Sequence, residues 1–243
     1  MFTLKKIFHF SKIDSTSAFL KCRRFSLRNF TFVSSDFQTD GHGRLGRTWH
    51  GGCGENLLFS VLIKDKTLTE NFSSLSLCTA VSILKTLNEF GFDNACIKWP
   101  NDVYADNKKI CGILLESVAD EGKITSIIVG VGLNVNAKEF KGEFFTPPTS
   151  MFLQTGEEFP LSVVKAKVYK NLKKELLLLK KGKSDYLKIA RQFNYLKDKK
   201  VATEINGEKK ELVVKDIADN NALLCLVDGK ERLISSGEIT FHL

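Results

Sequence analysis

Three short stretches of the chain concentrate charge and glycine where chemistry could use them. Gly41-His42-Gly43-Arg44-Leu45-Gly46-Arg47-Thr48-Trp49 sets two arginines three residues apart in a glycine-rich frame. Arginine offers a planar, permanently charged fork that matches carboxylate and phosphate oxygens. Lys98-Trp99-Pro100-Asn101-Asp102 places a lysine and an aspartate on either side of a rigid Trp-Pro step, and Lys109 with Gly112 comes a short turn later. Proline biases the residue before it to extended backbone, which predicts that Lys98, Pro100 and Asp102 face one way. A cleft gathering Arg44, Arg47, Lys98 and Lys109 around the single acid Asp102 would hold more than one anion. Gly130-Val131-Gly132-Leu133-Asn134 adds a place where a flat ring could lie on bare backbone, with an amide able to donate and accept on its edge. Each stretch also has a plain structural reading: a solvated surface loop, an ion pair at a sheet edge, or a turn ending a strand.

Two phosphate-binding motifs are matched in letters and excluded by context. Gly41 to Gly46 fits G-x-G-x-x-G, and Gly41 to Thr48 nearly fits a P-loop with Arg47 in the lysine's place. Both motifs aim a helix N-terminus at phosphate. Beyond Gly46, however, the segment from Arg47 to Gly54 contains three more glycines in a stretch no helix would tolerate, and it leads into a strand pattern. The stretch from Asp36 to Glu55 therefore reads as a functional loop that closes over a ligand and expels water.

The surrounding elements have to position these residues. A helix is expected from Ser15 to about Arg24 with Asp14 or Ser15 as its cap, then a strand at Phe30–Val33 and another at Asn56–Lys64. Apolar residues at helical spacing from Thr69 to Phe90 predict a long helix. Ala95–Trp99, a hairpin rising through Val103-Tyr104 and returning as Lys109–Ser117, and Lys123–Val131 read as strands, with a loop from Asn136 to Thr149 containing Pro147 and Pro148. Helices are expected over Ser162–Lys181 and Ser184–Tyr195. Beyond that the pattern becomes short strands separated by Asn206-Gly207, Asp219-Asn220-Asn221 and Asp228-Gly229, the turn signals of a small barrel. The expected organisation is α+β: residues 1–195 as one large domain of strands and helices, and residues 196–243 as a small β domain.

Composition bounds the function. The 243 residues, 43% hydrophobic and 26% charged, suit one large globular domain with a small appendage and exclude disordered or fibrous classes. The longest charge-free apolar stretch, Ile124–Ala137, is too short to cross a bilayer, and Ile7–Phe10 is too short for a secretory core. Six cysteines without any C-x-x-C pair fit reduced thiols and a cytoplasmic protein. His42, His50 and Cys53 lack a fourth ligand at suitable spacing, so no metal site is assigned. Of the net charge of +8, a surplus lies between Pro160 and Lys200, where twelve lysines and Arg191 face three acids. A solvated helix face is the plain reading; a guide for an acidic protein partner and a nucleic-acid surface are the others.

Taken together and in this order, Asp14-Ser15-Thr16, GHGRLGRTW, KWPND, KKICGILLE and GVGLNVN resemble the catalytic core of the biotin protein ligases, and the C-terminal strands resemble that family's SH3-like domain. The resemblance implies a mixed sheet backed by helices and a two-step ligase, a biotin-[acetyl-CoA-carboxylase] ligase. ATP activates biotin to biotinyl-5′-AMP with Mg²⁺ as cofactor, and biotin passes to a lysine of a biotin carboxyl carrier domain. It implies that Ser15, Thr16 and Gln38 meet the ureido ring of biotin, Gly43 and Arg44 its carboxylate end, and Lys109 both carboxylate and phosphate. Arg44, Arg47, Trp49, Lys98, Asn101, Gly132 and Asn134 fall on the nucleotide side. Asp102 is assigned either to orienting Lys109 or to helping the incoming lysine lose its proton, so that Arg44, Lys109 and Asp102 form the catalytic set.

Two positions depart from the family pattern: His42 stands where arginine is usual, and Ser17 where asparagine is common. The chain begins almost directly at the core, leaving no room for an N-terminal DNA-binding module, and it could act as a monomer or homodimer. A lipoate-type ligase of the same fold and a basic RNA-binding protein are the competing readings. KWPND with the arginine-glycine loop favours biotin, and the tail lacks the interleaved aromatics of a base-stacking platform.

Overall fold

The structure, a computed structural model, describes residues 7–49, 51–144, 146–205, 208–235 and 241–242. Its larger part is a seven-stranded sheet in the order β1-β2-β3-β7-β6-β5-β4, formed by β1 (Ile7–Phe10), β2 (Phe32–Ser35), β3 (Asn56–Ile63), β4 (Cys96–Lys98), β5 (Asp102–Ala105), β6 (Lys108–Asp120) and β7 (Lys123–Asn134). Only β1 and β2 run parallel; the other pairs are antiparallel, so the sheet is mixed as expected. The interior strand β3 reads NLLFSVLI and is buried throughout, as a strand covered on both faces should be.

Alternation along β3 divides the faces. Leu57, Phe59, Val61 and Ile63 join the main core, which also holds Leu75, Val81 and Leu84 of α3 (Phe72–Asn88) and Val168 and Leu172 of α5 (Leu161–Lys180). The opposite face carries α1 (Thr16–Arg23), whose Leu20 packs with Val33, Leu62 and Ile128. Ser15 caps α1 by accepting the Ala18 N–H, which resolves the choice between Asp14 and Ser15. The long helix expected from Thr69 is interrupted: α2 (Lys66–Thr69) ends before Glu70, and α3 starts at Phe72.

Further differences have local causes. The Phe30 strand begins two residues later, because Phe30 adopts positive φ and Thr31 turns back on Arg28. The strand β1 goes unannounced in sequence, since four residues of IFHF are too few for a periodic signal. Residues 99–101 do not run on as an extended segment. They form a turn with a cis Trp99–Pro100 bond, and Lys98 and Asp102 are direct cross-strand partners. The two charges share one face because partners opposite each other in a sheet do so. The short helix α4 (Met151–Thr155), capped by Ser150, lies next to the proline loop.

After α6 (Tyr186–Gln192) the chain forms a second, five-stranded antiparallel sheet in the order β11-β10-β9-β8-β12, from β8 (Lys200–Ile205), β9 (Glu208–Ile217), β10 (Leu223–Val227), β11 (Lys230–Ile234) and β12 (Phe241–His242). Asp228 and Gly229 make the expected tight turn, both at positive φ; Asn206-Gly207 lies outside the described residues. The end strands β11 and β12 do not pair with each other among the described residues. Val201, Leu212, Val214 and Cys225 merge into the main core, so the second sheet is packed onto the first. No helix among the described residues is long and apolar enough to cross a membrane.

Candidate active site

The sheet face that bears α1 is also the floor of a cavity of about 450 Å³. Two cross-strand rows pave it. The first runs Lys98–Asp102–Gly112–Gly132–Leu58 across β4, β5, β6, β7 and β3, and the second is Leu114–Gly130–Ser60. Every residue of both rows lines the cavity. One end of the floor is therefore ionic, the middle is bare backbone, and the far end is hydroxylic.

At the ionic end Lys109 Nζ lies 2.8 Å from Asp102 Oδ1. Strict alternation would put Lys109 and Gly112 on opposite faces. The register slips between Val103 and Tyr104, which pair with Cys111 and Lys109 and leave Ile110 over, and this bulge turns Lys109 to the Gly112 side. Accordingly a Cβ built on Gly112 would come 3.1 Å from Lys109 Nζ. Arg44 reaches the same corner from the glycine loop, its Nη1 donating to Asn101 Oδ1 at 2.9 Å. Asn101 is in turn fixed by its Nδ2, which donates to the Ile113 carbonyl. Burial draws the Arg44 guanidinium below its ordinary range, Asp102 opposing this. Lys98 donates to the Tyr104 hydroxyl at 2.9 Å; burial pulls its ammonium down to about 8 against the pull of Asp102.

At the hydroxyl end Thr16 donates to Gln38 Oε1 from its N–H at 2.7 Å and from its hydroxyl at 3.0 Å. Ser60 Oγ lies 2.7 Å from the Thr16 hydroxyl and 2.9 Å from that of Ser17. Ser15, Thr16, Ser17, Gln38 and Ser60 all border the cavity, a set of donors and acceptors that a small polar ring can pair with.

Between the two ends the flat ring foreseen over the glycines is an indole. The Trp49 ring lies so close that a Cβ on Gly132 would meet its Cε2 at 2.3 Å and one on Gly112 its Cζ3 at 2.7 Å. Trp49 is brought there by its own loop, in which Trp49 N–H donates to Gly41 O and Gly43 N–H to Arg47 O around a single 3₁₀ turn at Arg44–Gly46. Trp49 Nε1 and, at the end of β7, Asn134 Oδ1 are buried without a hydrogen-bond partner among the described residues, and both residues line the cavity. Asn134 Nδ2 donates to Thr149 O, which ties the proline loop to the end of β7.

Every residue expected at the site from sequence falls on this one cavity: Ser15, Thr16, Gln38, Gly43, Arg44, Arg47, Trp49, Lys98, Asn101, Asp102, Lys109, Gly132 and Asn134. Ser15 spends its hydroxyl as a helix cap. Sequence reading missed Ser60, though a lone hydroxyl inside NLLFSVLI was a signal, and it missed Phe140 and Phe144, an edge-to-face pair on the proline loop. His42 pairs with Asp40 at 3.1 Å; His50 lies outside the described residues.

Comparison with known proteins agrees with this geometry. Residues 10–134 match the family described as Biotin/lipoate A/B protein ligase family. The bifunctional ligase/repressor BirA of Bacillus subtilis is 35% identical over 130 residues, covering 53% of this chain and 40% of its own. BirA of Salmonella typhimurium is 28% identical over 231 residues, 95% of this chain and 72% of its own. The chain thus spans well under half of the first relative and about seven tenths of the second. Among solved structures, the biotin protein ligase from Aquifex aeolicus in complex with biotin and ATP superposes with a TM-score of 0.86 at 29% identity over 98% of both chains.

Proposed function

The chain belongs to the Biotin/lipoate A/B protein ligase family, and we propose from that membership and from the cavity's two unlike ends that it is a biotin protein ligase. It activates biotin with ATP and transfers it to a lysine of a carrier domain. The observation that carries the reading is the convergence of Arg44 and Lys109, through Asn101 and Asp102, on one corner of a cavity whose other end is a hydroxyl and amide cluster.

Two anions repel as they approach, so the first step needs positive charge fixed between them before they meet. Biotin lies with its ureido ring among Thr16, Ser17, Gln38 and Ser60 and its carboxylate toward Arg44 and Lys109. The carboxylate oxygen attacks the α-phosphorus of ATP, an oxygen–phosphorus bond forms, the α–β bridge breaks, and pyrophosphate leaves. Lys109, aimed by its ion pair with Asp102, and Arg44, aimed by Asn101, hold the oxygens whose charge grows. Gly132, Asn134 and Trp49 border the nucleotide's ring, for which Trp49 Nε1 and Asn134 Oδ1 supply an open donor and an open acceptor. In the second step the carrier lysine's amine attacks the acyl carbon, AMP departs, and the amine's proton passes toward Asp102 once Lys109 has moved its charge to phosphate. The glycine loop over the cavity keeps water from the mixed anhydride.

Mg²⁺ would be carried in on the phosphates and not held by the chain alone: Asp102 is paired with Lys109 at 2.8 Å, and no group of three His, Cys, Asp or Glu stands ready to cage a metal among the described residues. When bound, the ion neutralises the polyphosphate and eases the departure of pyrophosphate. All six cysteines are free thiols in the fold, which suits the reducing cytoplasm.

The test is biotin-dependent exchange of labelled pyrophosphate into ATP, followed by labelling of a carrier domain. Exchange that requires biotin supports the reading; exchange that answers to lipoate and ignores biotin reverses it.

A further inference from the structure

A buried polar node joins the second sheet to the back of the cavity wall. Its centre is Asn221, in the connection between β9 and β10, buried and at a φ of 66°, a left-handed conformation that asparagine tolerates better than most residues. The Asn221 carbonyl accepts from Trp99 Nε1 at 2.9 Å, across 122 residues of sequence. Its Oδ1 accepts from the Tyr186 hydroxyl of α6 at 2.8 Å, and its Nδ2 donates to Ser73 and Ser74 of α3, each at 3.2 Å. The backbone N–H is used too, donating to Ala218 O. All the polar groups of one small residue are thus spent on holding its turn against α3, α6 and Trp99.

Trp99 is the hinge of the turn that carries Lys98, Asn101 and Asp102 into the cavity. The adjoining Pro100 carbonyl is held from the same side by Ser76 of α3, whose hydroxyl donates at 2.8 Å. Outside, then, the turn is pinned by Asn221 and Ser76. Inside, it presents the amide that aims Arg44 and the carboxylate that aims Lys109. Arg191 of α6 braces the strand end before Asn221, its Nε donating to Ile217 O. Buried hydrogen bonds of this kind fix geometry because a displaced donor finds no water to replace its partner.

We propose that Asn221 is a positioning residue: the second sheet, through the Asn221–Trp99 hydrogen bond, sets the placement of the Lys98–Asp102 turn and hence the alignment of the cations that meet ATP. This rests on the ligase reading. It assigns to the C-terminal sheet a part in the first chemical step, specific to the nucleotide end, since the hydroxyl end is built on α1 and β3 without contact to this node.

The experiment uses the full chain and biotin-dependent pyrophosphate exchange, with KM measured for each substrate and folding checked by thermal melting. Asn221→Gly keeps the left-handed backbone and the carbonyl but removes the amide; Trp99→Phe keeps a ring and removes the donor. Each is expected to raise KM for ATP by roughly fivefold or more, the scale of one hydrogen bond's worth of alignment, and to lower kcat, while KM for biotin stays within about twofold. Asn221→Asp, which still accepts from Tyr186 and can accept from the Ser73 and Ser74 hydroxyls to which the wild-type amide donates, is expected to restore KM for ATP. The double variant Asn221→Gly with Trp99→Phe should be no worse than the more severe single one, because both act through one contact. Unchanged KM for ATP in a folded variant, equal losses for both substrates, or multiplying losses in the double variant would overturn the proposal. Should Asn221→Gly not fold, Trp99→Phe and Asn221→Asp decide the matter alone. Wild-type protein without biotin-dependent exchange would instead refute the ligase reading.

Discussion

Among individual residues, Lys98 makes the sharpest statement about charge. Its ammonium is drawn down to about 8 by burial, so in the free protein the charge facing ATP is lost as pH rises through that value. The ratio kcat/KM for ATP reports the free enzyme and is expected to fall above about pH 8. Bound phosphate favours the charged form, so kcat should hold to higher pH. Lys98→Arg, which stays charged, is expected to remove this limb from the pH profile of pyrophosphate exchange; a limb that survives the substitution would assign the titration elsewhere. The cationic residues were legible in sequence because arginine and lysine have few uses inside a cleft. Ser60 was not read, because one hydroxyl in an apolar strand looks like a tolerated imperfection until Thr16 and Ser17 are seen beside it.

On the scale of elements, the sheet's register does the positioning, and here sequence reading stopped short. Periodicity locates β3, β7 and α3 to within a few residues, since each buries a continuous apolar surface. It does not reveal the bulge at Ile110 that turns Lys109 into the cavity, nor the turn at Trp99–Asn101 that sets Lys98 opposite Asp102. Both depend on partners distant in the chain. Packing of α3 against α5 carries a second buried charge: Glu175, fully buried, is bound by Lys85 at 2.8 Å. Removing the lysine strands a buried carboxylate, so Lys85→Ala is expected to destabilise the fold by about 3 kcal/mol. Adding Glu175→Leu should recover most of the loss. Urea unfolding of the two variants measures this, and a single variant within about 0.5 kcal/mol of wild type would show the pair to be inconsequential.

Across the whole molecule, the two faces of the main sheet separate chemistry from charge surplus. Helix α5, which holds much of the basic segment, packs with α3 on the face away from the cavity. At ordinary ionic strength exposed charges act over about 8 Å, less than the thickness of a sheet with its helices. The exposed lysines of α5 are therefore expected to act as a solvated face, whereas Lys199, beyond that helix, lies close enough to bear on Lys98. Charge reversal at Lys170 and Lys174 is expected to leave the rate of transfer to a carrier domain within about twofold at physiological salt. A large fall in that rate, relieved at low salt, would return these lysines to a steering role. The α+β class and the change to short strands in the last fifty residues were readable from pattern, whereas the mixed sheet followed only from the family resemblance. How closely the second sheet is joined to the first was not, because Trp99, Tyr186 and Asn221 carry no shared sequence signature.

The account depends on Arg44 and Lys109 together holding a carboxylate against the α-phosphorus of ATP. The most direct measurement is the single-turnover rate of biotinyl-AMP formation by wild type and by Lys109→Ala, with biotin binding monitored separately. The wild type should form one adenylate per site, and the variant should still bind biotin but form adenylate slower by about 10² or more. A variant that makes the adenylate at a near-normal rate would contradict the account, because the charge that brings the two anions together would then have to lie elsewhere.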